Sequence, residues 1–232
     1  MDEIFVNTYE IPEKTAHATV DADGEIQLSD TFRNYLDNFP HPLERESAFD
    51  SSDHKFVLEH DAKDKKNEYR TPKNTVKYHA TLRMLKWNYD LGEFERVAKL
   101  TLFKNPKHLN VLGPRKAPKS VIEFHSRTEE EFRRKGYSTI LKGVMAQLAD
   151  AGQLGRGITH FGTGTVSDHA QKINTNYLGI VKDPNERYYP YNNLGRVDDA
   201  SDSFFYHKPK SQKTLDMMAK SNLKKYYDNR MI

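Results

Sequence analysis

The sequence predicts an α+β fold in which a strand-rich half precedes a half of alternating helices and strands. Three segments rich in β-forming residues follow one another at 75–85, 94–103 and 120–127. They lead into a basic turn with a glycine, at residues 132–138, and then into a helix with apolar residues at a period of 3.6. With 232 residues, of which 36% are hydrophobic, the chain is long enough to bury a substantial core.

The first third of the chain predicts a hairpin and one short helix. The Asp-Gly turn at residues 21–24 should join strands at 16–20 and 25–28. Ser29-Asp30 is a suitable N-cap for a helix over 31–38, which Pro40 would end. Strands are also predicted at residues 4–9 and 55–59, and a charged loop at 61–74.

The rest of the chain alternates helices and strands. The helix after the glycine turn should bury one apolar face and end at Gly152, the face being Ile140, Leu141, Val144, Met145, Leu148 and Ala149. A strand at 158–166 precedes a second helix that Ser167 caps and Gly179 ends. The last predicted elements are a turn-rich stretch at 182–202, a strand at 203–207 and a helix from Ser211 that buries Leu215.

Composition excludes several classes of protein. The chain has no cysteine, so disulfides, thiolate nucleophiles and cysteine-ligated zinc are ruled out. The ten histidines form no HExxH motif or tight cluster, and no metal site is expected. The net charge of +3 is too small to indicate nucleic-acid binding by itself. No segment approaches the roughly 20 apolar residues of a membrane span, and no signal peptide is recognisable, so we expect a cytoplasmic protein without membrane contact.

The basic glycine turn is the strongest functional signal. A strand, a basic turn and a helix together direct helix N–H groups and the positive end of the helix dipole at a phosphate. The alternative is a solvated cluster of charges. The turn consists of Arg133, Arg134, Lys135, Gly136, Tyr137 and Ser138.

The word Arg133-x-x-Gly136-x-Ser138 resembles the pyrophosphate-binding signature of the GNAT superfamily of N-acetyltransferases. Two further matches are similar to that family: the helical stretch that ends at residues 177–180, and the closing strand that ends near Lys208. The resemblance covers about residues 75–208. It implies a mixed, mostly antiparallel sheet that is splayed at an acyl-CoA site and flanked by helices.

The resemblance also implies acetyl-CoA as a substrate, direct attack by an amine and no metal. The turn residues 133–138 would hold the pyrophosphate, and Asn174 would face the cofactor arm unless it faces solvent. Tyr177 would be the general acid, although a core tyrosine is the alternative. Glu123 and His125 share one face of a predicted strand, so either could be the base or a plain surface residue.

Three functional hypotheses remain open on the sequence alone. The first is an acetyltransferase whose amine acceptor is a protein, an aminoacyl-tRNA or a small molecule. The second is a catalytically inactive GNAT-like binding protein. The third is a basic nucleic-acid or protein-interaction module of unrelated α/β fold. It would use the loop at 104–119, which has five Lys/Arg and no acidic residue, to bind an anionic partner or simply to meet solvent.

The expected organisation is one core with additions at each end. Residues 1–74 would add variable N-terminal strands and a helix to the same domain. Residues 75–208 would form the acyl-CoA-binding core, and 209–232 a C-terminal helix.

Overall fold

A computed structural model describes residues 17–39, 47–60, 79–104, 121–155, 158, 160–163, 173–174, 189–190, 202–207, 213 and 215–217, and every structural statement below concerns these residues. Within these residues, two α-helices and nine strands are defined at both ends. They are β1 Ala18–Val20, β2 Ile26–Leu28, α1 Asp30–Asp37, β3 His54–His60, β4 His79–Asn88, β5 Glu93–Lys104, β6 Val121–Thr128, α2 Tyr137–Asp150, β7 His160–Thr163, β8 Tyr189–Pro190 and β9 Asp202–His207.

The main sheet has seven strands in the order β3-β4-β5-β6-β7-β9-β8. Neighbours pair antiparallel except β6 and β7, which run parallel. A parallel pair needs a crossover, and α2 lies in the connection between these two strands. The predicted α+β class with a mixed, mostly antiparallel sheet is therefore confirmed.

The β4–β5 hairpin is closed by a turn at residues 88–92. The Asn88 side-chain oxygen accepts hydrogen bonds from the N–H groups of Asp90 and Leu91 at 3.0 and 3.1 Å. Gly92 then adopts a φ of 67°, in the left-handed region that glycine tolerates best. This local network sets where β4 ends and β5 begins.

The small hairpin β1–β2 is attached to the main sheet through its own turn. Asp21 accepts from the N–H groups of Asp23 and Glu25, and Gly24 has a φ of 83°. The Leu58 N–H of β3 donates to the Gly24 carbonyl at 2.7 Å. The turn therefore both closes the hairpin and docks it on β3.

Helix α1 is capped by Ser29, the first residue of the predicted cap Ser29-Asp30, and begins one residue before the predicted start. The Ser29 hydroxyl accepts from the Phe32 N–H at 3.2 Å, which satisfies one of the N–H groups that a helix start leaves unpaired. The helix buries Phe32 and Leu36 in the common core.

Helix α2 corrects one prediction. Instead of burying a single apolar face, it is buried on all sides, since every residue from Thr139 to Ala149 is buried, Lys142 and Gln147 included. The helix packs on β1, β4, β5 and β6. Its C-terminal end is as predicted: Gly152 has a φ of 75°, and the Gln153 N–H donates to the Leu148 carbonyl, as in a Schellman motif.

Two short elements were not predicted from the sequence. A 3-10 helix at Glu130–Phe132 precedes the glycine turn, and β8 lies inside the stretch that was predicted to be all turns. Leu215 is buried as predicted. Neither described helix is long and apolar enough to cross a bilayer. The predicted strand at 4–9 and the loop at 61–74 lie outside the described residues.

Replacement of Gly24 by alanine should destabilise the fold more than the same change at Gly92. Both glycines have positive φ, but a Cβ on Gly24 would lie 2.7 Å from the Leu58 carbonyl oxygen, whereas a Cβ on Gly92 meets nothing within 4 Å. We expect a loss of about 1 kcal/mol for Gly92→Ala and about 2–3 kcal/mol for Gly24→Ala in urea unfolding. Equal losses would contradict the close approach of the two backbones.

His17 should make stability depend on pH. It is buried beside the Ser29 hydroxyl at 3.1 Å, and burial lowers its pKa below the ordinary value of 6.5, against a smaller opposing effect of Asp150. As pH falls, His17 therefore binds a proton in the unfolded chain before it does so in the folded chain. Its contribution to the free energy of unfolding is complete above pH about 6.5 and is lost as pH falls towards the lowered pKa. His17→Asn should flatten the dependence of unfolding free energy on pH between 7.5 and 5, measured by urea unfolding at each pH, and an unchanged dependence would contradict the role of His17.

Candidate active site

The strands β6 and β7 form the parallel pair of the described sheet, and their described pairing is short. They pair through only three residue pairs, which end at Glu123 and Gly162. On its other side β6 stays paired with β5 up to Thr128. Within the described strands, residues 124–128 of β6 have no pairing partner on the side of β7.

The glycine turn lies shortly after this part of β6. Arg134 and Gly136 both have positive φ, 61° and 82°. Gly136 is the N-cap of α2 and has no side chain with which to cap it. The first helical N–H groups point out of the helix end, and a left-handed residue in a turn brings further N–H groups to the same side. The arrangement is suited to an anion.

Two aromatic rings fix the turn to the core. The rings of Phe132 and Tyr137, at its two ends, lie 5.9 Å apart, and both side chains are buried. The Tyr137 ring also contacts Phe49 and His54. Tyr137 can therefore serve a ligand only through its backbone, whereas Arg133 and Arg134 are exposed.

Glu123 and His125 lie side by side where the described pairing of β6 with β7 ends. The Nε2 atom of His125 is 3.0 Å from Oε1 of Glu123. The Glu123 side chain is 2% exposed and that of His125 is 47% exposed. A buried carboxylate thus orients an accessible imidazole, whose edge-on contact with Phe103 further fixes the ring. This arrangement is suited to proton transfer at the imidazole.

A buried lysine of α2 lies against the opposite face of β6, and it was not among the predicted site residues. Lys142 of α2 is 1% exposed, and its ammonium lies 5.7 Å from the ring centre of Phe124. Phe124 therefore faces α2, and the alternation of a strand places Glu123 and His125 on the other face. A lysine in the middle of the apolar run of α2 was the sequence signal that could have revealed it.

Lys142 donates a hydrogen bond to Oδ1 of Asn174 at 3.0 Å. Among the described residues it forms no ion pair, and burial alone lowers its pKa from 10.5 to about 8. That difference corresponds to about 3 kcal/mol lost by the charged form relative to water. Asn174 is also fully buried, and its Nδ2 has no hydrogen-bond partner within the described structure.

The structure thus groups most of the predicted site residues. Residues 133–138 form one turn at the start of α2, and Glu123 and His125 lie where the described pairing of β6 with β7 ends. Asn174 is buried against Lys142 rather than exposed to solvent. Tyr177 and residues 105–119 of the basic loop lie outside the described residues. The described residues hold no group of three or more potential metal ligands.

Comparisons with known proteins give distant structural likenesses only. No protein-family model and no curated protein matches the sequence. The chain is similar to one in a KacTA–DNA complex, with 9% identity and a TM-score of 0.38, over 72% of this chain and 99% of that one. It is also similar to a mutant AtaT toxin bound to the C-terminus of the antitoxin AtaR and acetyl-CoA, with 11% identity, the same TM-score and the same coverage. TM-scores of 0.38 are too low to establish a common function, so any function must be inferred from the residues of this chain.

Proposed function

We propose that this chain is a GNAT-like N-acetyltransferase that moves an acetyl group from acetyl-CoA to an amine. The observation that carries the proposal is the helix start at Gly136, which no side chain caps and which follows β6, the strand whose described pairing with β7 ends at Glu123. A strand beyond the end of its pairing offers backbone hydrogen bonds to an extended acyl-donor arm, and the helix start attracts its pyrophosphate.

The basic turn would hold the diphosphate. The N–H groups at the start of α2 and the positive end of its dipole favour negative charge, and three basic side chains adjoin them, Arg133, Arg134 and Lys135. Because Phe132 and Tyr137 anchor both ends of the turn, these N–H groups are oriented before the ligand arrives.

Glu123 and His125 would supply the base. The amine nitrogen attacks the thioester carbonyl, the new C–N bond forms and the C–S bond breaks with its electron pair going to sulfur. The attacking nitrogen must lose a proton, which His125 can accept while the buried Glu123 carboxylate stabilises the resulting imidazolium. The thiolate takes a proton from a general acid, and we propose Tyr177 for this role.

The acceptor is left open by these residues. A protein amine, an aminoacyl-tRNA and a small amine all present the same nucleophilic nitrogen. We propose that the protein is cytoplasmic. We also propose that the basic loop at 104–119 contacts an anionic partner.

Neutralising the turn should weaken acetyl-CoA binding selectively. The triple variant Arg133→Gln, Arg134→Gln and Lys135→Gln removes the charges that adjoin the diphosphate. We expect the dissociation constant for acetyl-CoA to rise about tenfold or more in calorimetry at low salt. Acetyl-pantetheine has no diphosphate, so its binding should not change.

The control for the triple variant is Lys86→Gln, which removes one charge from β4 and should leave both ligands unaffected. No binding of any CoA ester by the unaltered chain, up to millimolar concentration, would overturn the proposed function. An equal loss for acetyl-CoA and acetyl-pantetheine would overturn only the role of the turn.

Removal of the base should slow transfer without weakening acetyl-CoA binding. Glu123→Gln and His125→Gln should each lower kcat by about 100-fold, because general-base catalysis typically contributes at least that much. Release of free CoA would be followed with poly-lysine, spermidine and aminoacyl-tRNA as amines. Ser126→Ala on the same strand is the control. Unchanged turnover in both variants, with an amine that the unaltered chain acetylates, would show that neither residue is the base.

A further inference from the structure

The buried pair Lys142 and Asn174 lowers the stability of the fold, so its presence needs another explanation. A lysine that is 1% exposed and has no described ion pair is disfavoured in its charged form by burial alone. A methionine would fill similar space in the interior without that penalty. Stability alone therefore does not account for a lysine at this position of α2.

Lys142 dictates how the Asn174 carboxamide is oriented. An ammonium can only donate hydrogen bonds, so the group 3.0 Å from it must be the amide oxygen and not the amide nitrogen. Nδ2 is then turned away from the lysine. It is a buried donor with no hydrogen-bond partner among the described residues, and such a donor is costly until an acceptor arrives.

The pair lies beside the part of β6 that has no described pairing with β7. Phe124, whose ring centre is 5.7 Å from the Lys142 ammonium, is the first residue of β6 beyond the last pair with β7. Lys142 also follows Gly136 by six residues, which is about 9 Å along a helix. The arm of acetyl-CoA that links diphosphate to thioester has to extend from the turn into this region, and it carries two amide carbonyls.

We propose that Lys142 is a positioning residue of the acyl-donor site, which holds Asn174 so that Nδ2 donates to a carbonyl oxygen of bound acetyl-CoA. The inference rests on the proposed function, since it presumes that an acyl-CoA binds beside this part of β6. The ammonium also polarises the carboxamide and so makes Nδ2 a stronger donor. No bond is made or broken by either residue.

Asn174→Asp is the sharpest test of this role. The variant keeps an oxygen for Lys142 and adds an opposite charge next to it, so the thermal unfolding temperature should be kept or raised. It replaces the Nδ2 donor by an acceptor. We expect the dissociation constant for acetyl-CoA to rise about tenfold or more, since a carboxylate would now face a carbonyl oxygen.

Lys142→Met removes the ammonium while it fills the same space. The carboxamide is then free to turn, so acetyl-CoA should again bind about tenfold more weakly, with no fall in unfolding temperature. The double variant Lys142→Met and Asn174→Asp should lose no more affinity for acetyl-CoA than the weaker-binding single variant, because the two residues act as one unit. Met145→Leu, on the same buried helix, is the control and should bind as the unaltered chain does.

A second ligand separates positioning from general structural damage. ADP 3′-phosphate carries the diphosphate but no amide arm, so each variant should bind it as tightly as the unaltered chain. Variants that lose both ligands together, or that bind acetyl-CoA normally, would overturn the role of Lys142. The proposed function would still stand. An unaltered chain that binds neither ligand would overturn the proposed function as well.

Discussion

The complete burial of α2 is the constraint on which the rest of the described structure depends. A helix that is enclosed on every side cannot rotate or slide without breaking contacts with β1, β4, β5 and β6. Its N-terminus is therefore fixed relative to the sheet, and the glycine turn is fixed with it through Phe132 and Tyr137. A weakly packed helix would present the same N–H groups, but would not hold them in a fixed position relative to β6.

Local sequence signals were sufficient for most elements of the fold. The Asp-Gly turn, the Ser29 cap and the Gly152 stop each determine the backbone within a few residues, and each is found where it was predicted. The number of buried faces of α2 is a tertiary property. It depends on which elements cover the helix. Because Lys142 and Gln147 are polar, the sequence pattern indicated an amphipathic helix, although both residues are buried and the helix is enclosed on all sides.

The candidate site was partly predictable for the same reason. The turn at 133–138 and the pair Glu123 and His125 are contiguous or two residues apart, so strand and helix periodicity alone brought them together. Lys142 and Asn174 are 32 residues apart, and their hydrogen bond depends on how the chain between them folds back. An isolated lysine in an apolar run indicates that something unusual is buried, but it cannot identify the partner.

The alternation of β6 also separates two charges that would otherwise neutralise each other. Glu123 points to one face and Phe124 to the face of Lys142, so burial alone accounts for the lowered pKa of the lysine and no carboxylate of the described residues offsets it. On a shared face the two groups would form a buried ion pair, in which neither the carboxylate nor the ammonium would be available to another group. With the strand between them, the carboxylate can serve an imidazole on one side, and the ammonium can orient a carboxamide on the other. In the proposed reaction the proton of the amine and the carbonyls of the acyl donor would thus be handled from opposite faces of one strand.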